Sequence, residues 1–278
     1  MSETKTHSKI AITLPRYLTF TRLNWFRLVL YFCLAQLVYQ NDNADSTTPQ
    51  TSSISLEKAI TLYEAGQTDF ARTAFSLILS EKPKEPLALY YLGRLESNRE
   101  AAKQYYLQVL LHEPEHSLAD DALLEVSRIH FEFERYDEAV HACNRLLKAF
   151  PDSDLMDECR FLLGHALLAG RRPLLSRMVF KQLLLSEHEP MLVRSAHLAI
   201  ADSYRDQGDF IEAARRYLKF EVKFSGTDGL QVVLWRAAQC LVEAGREFEA
   251  GYVYQRLINR YPDTPEAIRA GAERPLPE

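Results

Sequence analysis

Long apolar runs, cysteine and glycine are all scarce in this sequence, and each scarcity removes a class of protein. Four cysteines in 278 residues cannot hold together a domain of this size, which excludes a disulfide-built scaffold. Ten glycines and twelve prolines exclude collagen-like and proline-rich low-complexity chains. The most apolar run, residues 28–39, falls short of the roughly 20 residues of a comfortable membrane-spanning helix. Acidic residues are scarce before residue 40 and outnumber basic ones beyond it. Lys5, Lys9, Arg16, Arg22 and Arg27 stand against Glu3 alone in residues 1–40, a surplus of four; with a net charge of −5 overall, the remainder carries −9. An acidic body is a poor match for a phosphate backbone, so no nucleic-acid partner is expected. Gly-rich phosphate loops, Cys-x-x-Cys pairs and serine-nucleophile elbows are missing as well. The sequence therefore predicts neither an enzyme nor a cofactor.

What is present is globular: 47% apolar, 26% charged and 11% aromatic residues. The basic start leading into residues 28–39 has the pattern of a signal peptide or an uncleaved anchor, with Arg27 at the cytoplasmic interface. No clean small-x-small cleavage site follows it. Phe32 stands before Cys33, where a lipidated cysteine needs a small neighbour. Residues 41–53 contain no large apolar residue and read as a flexible polar linker. These features predict a basic N-terminus with signal or anchor over 1–40 and the folded body beyond it, outside the cytoplasm, over about 54–270, with 271–278 as a tail.

The body repeats. Phe75, Tyr106, Cys143, Phe180, Tyr217 and Tyr254 follow one another at intervals of 31, 37, 37, 37 and 37. Four residues before each stands a small one: Ala71, Ala102, Ala139, Ser176, Ala213 and Ala250. Three residues after each stands a large apolar one, from Ile78 to Leu257. That spacing marks one face of a helix. A second column of small residues, Ala59, Gly93, Ser127, Gly164, Ala201 and Ala238, marks a preceding helix in each copy. Turn signals such as Ala65-Gly66-Gln67 and Gln207-Gly208-Asp209 fall between the two helices. Pro83, Pro114, Pro151 and Pro262 follow four of the second helices, where proline stops a helix. Sustained period-two alternation is absent, so strands are not called for.

These columns resemble the tetratricopeptide repeat (TPR). The best copies read Tyr204-x3-Gly208-Asp209-Phe210-x2-Ala213-x3-Tyr217 and Tyr136-x2-Ala139-x6-Leu146-x4-Pro151. The resemblance implies an all-α, right-handed TPR α-solenoid of about six helix pairs, with copies at roughly 52–85, 86–117, 120–153, 157–190, 194–226 and 231–265. Residues 266–278 are expected to hold one short capping turn. The repeat is mostly longer than the family's roughly 34 residues. In copy two the turn between the helices reads as shortened, with three residues passing to the following linker. Copy four has Arg171 where glycine is usual and Pro173 opening its second helix, and copy five has Ser225 in place of the terminal proline. The long repeat, with Phe150-Pro151-Asp152-Ser153 and Tyr261-Pro262-Asp263-Thr264 at copy ends, is similar to bacterial envelope TPR proteins of the barrel-assembly lipoprotein and Tol–Pal coordinator type.

Two motifs invite chemistry and do not sustain it. His112-Glu113-Pro114-Glu115-His116 has zinc-protease spacing, but Pro114 occupies the helix-ending column, whereas both histidines need one continuous helix face. No metal site is expected there. Cys143 and Cys159 fall on helices that pack together, where a disulfide is conceivable outside the cytoplasm and two buried thiols are the simpler reading. Cys240 reads as core.

In the TPR family the concave surface, lined by first helices, takes protein or peptide partners. The resemblance places Leu56, Tyr90, Leu124, Phe161, Leu198 and Trp235 in one facing column. Ile60, Arg94, Arg128, His165, Asp202 and Gln239 form a second, with Tyr63, Phe131 and Arg205 beside them. Apolar and aromatic groups next to arginines suit a peptide with hydrophobic anchors and an acidic group. The alternative is that the first column packs between repeats. The lysine and asparagine of the carboxylate clamp used by chaperone-binding TPRs are missing. The functional expectation is a membrane-tethered, extracytoplasmic scaffold for other proteins. The alternative is an extracytoplasmic solute- or lipid-binding TPR protein with an enclosed apolar pocket of about 300–1,000 Å³.

Overall fold

A computed structural model of the chain describes residues 54–185 and 190–273. The basic start, the apolar run 28–39, Cys33, the linker and the last residues of the tail lie outside these. Thirteen helices and no strand occur among the described residues. They run α1 (Leu56–Glu64), α2 (Thr68–Glu81), α3 (Pro86–Leu95), α4 (Arg99–His112), α5 (Ala119–Glu132), α6 (Tyr136–Ala149) and α7 (Met156–Ala169). These are followed by α8 (Pro173–Leu183), α9 (Pro190–Asp206), α10 (Phe210–Lys223), α11 (Leu230–Glu243), α12 (Glu247–Arg260) and α13 (Pro265–Glu273). Odd-numbered helices up to α11 are the first helices of six pairs and even-numbered ones the second. Each helix packs on the next in chain order, and α5 also touches α7, α7 touches α9 and α11 touches α13.

Local sequence sets the helix ends. Ser55, Asn98 and Asp209 cap α1, α4 and α10, their side chains accepting the backbone N–H of Lys58 at 3.3 Å, Ala101 at 3.1 Å and Glu212 at 3.2 Å. Such a cap satisfies one of the N–H groups a helix start leaves without a partner. Prolines open α3, α8, α9 and α13, where the missing N–H costs nothing. Pro83, Pro114, Pro151 and Pro262 each stand two residues past the end of a second helix, and the residue before each has left the helical region, as proline requires of its predecessor.

The two sequence columns meet in the core. Ala59, Ser127, Ala201 and Ala238 have no exposed surface, nor do Phe75, Phe180 and Tyr217; Tyr106 and Tyr254 are 1% exposed. A small residue on the first helix faces a large one on the second. At Gly93 the Tyr106 ring, and at Gly164 the Phe180 ring, occupies the space a β-carbon would fill.

In five of the six pairs the turn between the helices uses a left-handed residue, and the turn 96–98 of copy two has none. Gly66, Gly208 and Gly245 supply it with φ of 72°, 83° and 69°, and Glu134 and Arg171 adopt φ of 58° and 57° without glycine's freedom. Arg171 thus fills the glycine place of copy four by taking the strained conformation itself.

Three expectations are corrected. Copy two is short because α3 ends two residues after Gly93, whereas the other first helices run five residues past their small residue. Its turn still has three residues, 96–98, and the next linker, 113–118, equals those at 150–155 and 224–229. Pro190 begins the first helix of copy five rather than ending copy four. The expected terminal turn is a nine-residue helix, α13, that buries Ala267 and Ala270 and covers the end of the last pair. No helix among the described residues is long and apolar enough to cross a membrane.

Candidate functional site: the first-helix face

Side chains on successive first helices reach one another directly. The Arg94 guanidinium lies 5.7 Å from the centroid of the Tyr63 ring, and Tyr63 meets Tyr91 edge-on at 4.8 Å, joining α1 to α3. Tyr90 donates its hydroxyl to Asp121 Oδ1 at 3.4 Å, joining α3 to α5. Arg128 reaches Glu158 at 2.5 Å, joining α5 to α7. Arg236 pairs with Asp202 at 3.1 Å, joining α9 to α11. These contacts join the first helices from α1 to α7 and, separately, α9 to α11.

The expected facing column divides by burial. Tyr90, Leu124 and Trp235 are 6%, 2% and 9% exposed; Trp235 packs on Tyr254 with centroids 5.5 Å apart. They give most of their surface to packing between helices, the alternative that the sequence left open. Burial, then Asp121, pushes the Tyr90 phenol up to about 12. Phe161 is half-buried, its ring 4.5 Å from His165 and 6.0 Å from Phe180. Tyr63 and Phe131 are also half-buried, Phe131 lying edge-on to Tyr136 at 5.7 Å. Three aromatic surfaces thus remain to meet a partner.

The arginines divide by pairing. Arg128 binds both Glu125 and Glu158. Arg205 sits 3.3 Å from Asp202 and 3.1 Å from Asp206. Arg94 is exposed, and no carboxylate among the described residues lies within ion-pair distance of it. The cation available to an acidic group on a partner is therefore Arg94, flanked by Tyr63 and Tyr90. Sequence columns alone did not reveal this neutralisation. The signal was Glu125, three residues before Arg128, a spacing that pairs charges on a helix.

His165 lies among Phe161, Phe180 and, across the pair boundary, Asp202; burial lowers its pKa and Asp202 works against that. Asp202 accepts from Tyr217 and from Arg236, so its oxygens are already engaged. The zinc-like motif is broken as its proline dictates, with His112 the last residue of α4 and Glu113 leaving the helix. Cys143 and Cys159 are buried free thiols, the Cys159 thiol 3.5 Å from the Cys143 carbonyl oxygen. The hydrogen bond from Cys159 favours the Cys143 thiolate and correspondingly raises Cys159. Cys240 is buried core.

The two best-formed cavities among the described residues lie off the first-helix face. One, of about 290 Å³, is lined by Tyr252, Gln255, Arg256, Asn259 and Arg260 of α12. The other, of about 220 Å³, lies where α4, α5 and α6 meet, with Leu107, Val126, His130 and Arg145 in its wall. Both are smaller than an ordinary small-molecule site.

Tetratricopeptide repeat family models match residues 96–154 and 232–264, the first spanning α4 to α6 and the second copy six. No curated protein matches the chain. Solved structures match its fold. Pseudomonas aeruginosa PilF is 18% identical, covers 80% of this chain and 96% of its own, and superposes with a TM-score of 0.51. PilW, described as a widely conserved type IV pilus biogenesis factor, is 15% identical over 80% of this chain and 99% of its own, with a TM-score of 0.56. YrrB, described as a TPR protein with an unusual peptide-binding site, is 17% identical over 72% and 98%, with a TM-score of 0.54. Tetratricopeptide repeat models thus match two stretches of this chain, and its fold is similar to that of solved proteins that include a tetratricopeptide repeat protein.

Proposed function

We propose that the protein is a non-enzymatic scaffold that binds other proteins, through peptide or helical segments, on its first-helix face. The observation that carries this is the first-helix face, on which Tyr63, Phe131 and Phe161 are half-exposed and Arg94 has no carboxylate among the described residues within ion-pair distance. Partly exposed aromatics beside an arginine are the groups that dominate protein interfaces. We place the scaffold in the bacterial cell envelope, tethered or delivered by its N-terminal segment with the solenoid outside the cytoplasm. The basic-then-apolar start and polar linker support this, as does the likeness of fold to a pilus biogenesis factor. Outer-membrane protein assembly and envelope or division coordination are the processes to which the long repeat is most similar.

Affinity capture from detergent-solubilised membranes tests the reading when wild type is compared with Phe131→Ala and Arg94→Ala. A partner retained by wild type and lost from both variants, at unchanged melting temperature, supports it. Equal retention by all three defeats it.

A further inference from the structure

The outward faces of the second helices differ sharply from one another. On α6 the outward residues include Asp137, Glu138, His141, Asn144 and Lys148, all exposed and polar. On α8 and its flanks the outward residues are Arg171, Leu174, Leu175, Met178, Lys181 and Leu185. Leu174, Met178 and Leu185 are 62%, 66% and 84% exposed. At 100° per residue the four within α8, Leu174, Leu175, Met178 and Lys181, fall within one arc of about 120°, and Arg171 and Leu185 are exposed in the turns that flank the helix. Residues 171–185 contain no acidic side chain. Of their four cations, Arg172 is spent on Asp137 and Arg177 is buried against Tyr204 and Ser203, which leaves Arg171 and Lys181 facing solvent.

Helix α10 extends this surface. Arg177 of α8 and Arg216 of α10 both lie over the Tyr204 ring, at 4.1 and 5.6 Å, so the two second helices are neighbours. The outward side of α10 carries Ile211, Arg215, Lys219 and Val222, with Val222 71% exposed. Its two acids are neutralised locally: Glu212 by Arg215 and Arg216, and Glu221, which is buried, by Arg256 and Arg260. His197, on α9 between the two helices, records the resulting field. Burial first, then Lys223, Lys219 and Arg216, hold its pKa down at about 4. A chain of net charge −5 thus places Arg171, Lys181 and Lys219, with no ion-pair partner among the described residues, around exposed aliphatic side chains.

We propose that the outward faces of α8 and α10 dock on an anionic phospholipid bilayer, with Leu174, Met178 and Val222 entering the interface and Arg171, Lys181 and Lys219 meeting lipid phosphates. Charge complementarity selects the occupant. Leucine, methionine, isoleucine and valine are bordered by Arg171, Lys181, Arg215 and Lys219, while the acids of α10 are paired locally, the chemistry of interfacial binding to acidic lipid.

The N-terminal segment is itself apolar, so the test must report where the solenoid touches. The full chain carrying Cys33→Ser receives an environment-sensitive fluorophore at Met178→Cys or, as control, at Asn144→Cys on α6; the other cysteines are buried. With phosphatidylglycerol vesicles the probe at 178 shifts to the blue and brightens at least about twofold, while the probe at 144 does not. Phosphatidylcholine vesicles leave both unchanged. Lys181→Gln and Lys219→Gln each weaken the response at 178 by about fivefold, the worth of one charge near an anionic surface, with circular dichroism confirming the fold. No response at 178, an equal response at 144, or an equal response to phosphatidylcholine overturns the proposal. So does a response to an acidic amphipathic peptide but not to vesicles, which makes this a protein-binding surface.

Discussion

Gly164 and Phe180 occupy one another's space: a β-carbon on Gly164 would lie 2.5 Å from Phe180 Cζ. Helices α7 and α8 approach as they do because position 164 has no side chain, and the fully buried Phe180 ring has nowhere to retreat. Alanine in a helix interior ordinarily gains about 1 kcal/mol over glycine. Here overpacking costs about 1–3 kcal/mol, so Gly164→Ala is expected to lower the denaturant midpoint. Gly93→Ala, against Tyr106 Cε1 at 2.7 Å, is expected to do the same. The double change Gly164→Ala with Phe180→Leu should recover part of the loss, which a propensity effect would not.

The left-handed turn residues give the opposite sign. Glu134 is exposed and holds φ at 58°, a conformation that costs a residue with a β-carbon about 1–2 kcal/mol. Glycine releases that strain and gives back part of it as unfolded-state entropy. Glu134→Gly is expected to raise stability by about 0.5–1 kcal/mol in chemical denaturation, whereas Gly208→Ala, at φ 83°, lowers it by a similar amount.

The pairing of helices was legible because it rests on steric columns, in which a small residue opposite a large one leaves a periodic mark in sequence. The shortened α3 was less legible. Loss of helix and loss of turn shorten the spacing from Gly93 to Tyr106 alike, and only the backbone shows that α3 ended early. On the first-helix face, residue types located Arg94, Arg128 and Arg205 equally well. Which of them is free depends on Glu125, Glu158, Asp202 and Asp206, whose reach is set by three-dimensional spacing. The α8 surface was missed because a helix-period apolar pattern looks the same in sequence whether its stripe faces core or solvent.

Acid is expected to loosen the solenoid partly through His197. The neutral imidazole accepts from Lys223 Nζ at 2.9 Å, and its folded pKa of about 4 lies below the ordinary 6.5. The unfolded state therefore binds more protons between those values, so stability rises with pH there. This contribution is complete above about pH 6.5, is lost as pH falls toward about 4, and changes no further below. His197→Asn should flatten that limb of a plot of melting temperature against pH while leaving the region above pH 7 little changed.

The final expectation separates core aromatics from binding aromatics on the same helices. Tyr217 is fully buried and donates its hydroxyl to Asp202, so Tyr217→Ala removes both packing and a charge-assisted hydrogen bond and should cost at least about 3–5 kcal/mol. Trp235, at 9% exposure, should behave similarly. Phe161 keeps part of its ring in solvent and has His165 beside it to fill part of the space, so Phe161→Ala should cost clearly less. Binding should follow the reverse order. If partners use this face, Phe161→Ala weakens capture by about 2 kcal/mol, as truncation of an interface anchor does, in a protein that still melts cooperatively. Tyr217→Phe gives the remaining control: it keeps the ring, loses the bond to Asp202 and should cost about 1.5–3 kcal/mol of stability with capture unchanged at a temperature where the fold is intact. Thermal melts and capture of the same four variants decide the matter. Should Phe161→Ala melt as low as Tyr217→Ala, or bind as well as wild type, the first-helix aromatics are core and the partner surface lies elsewhere.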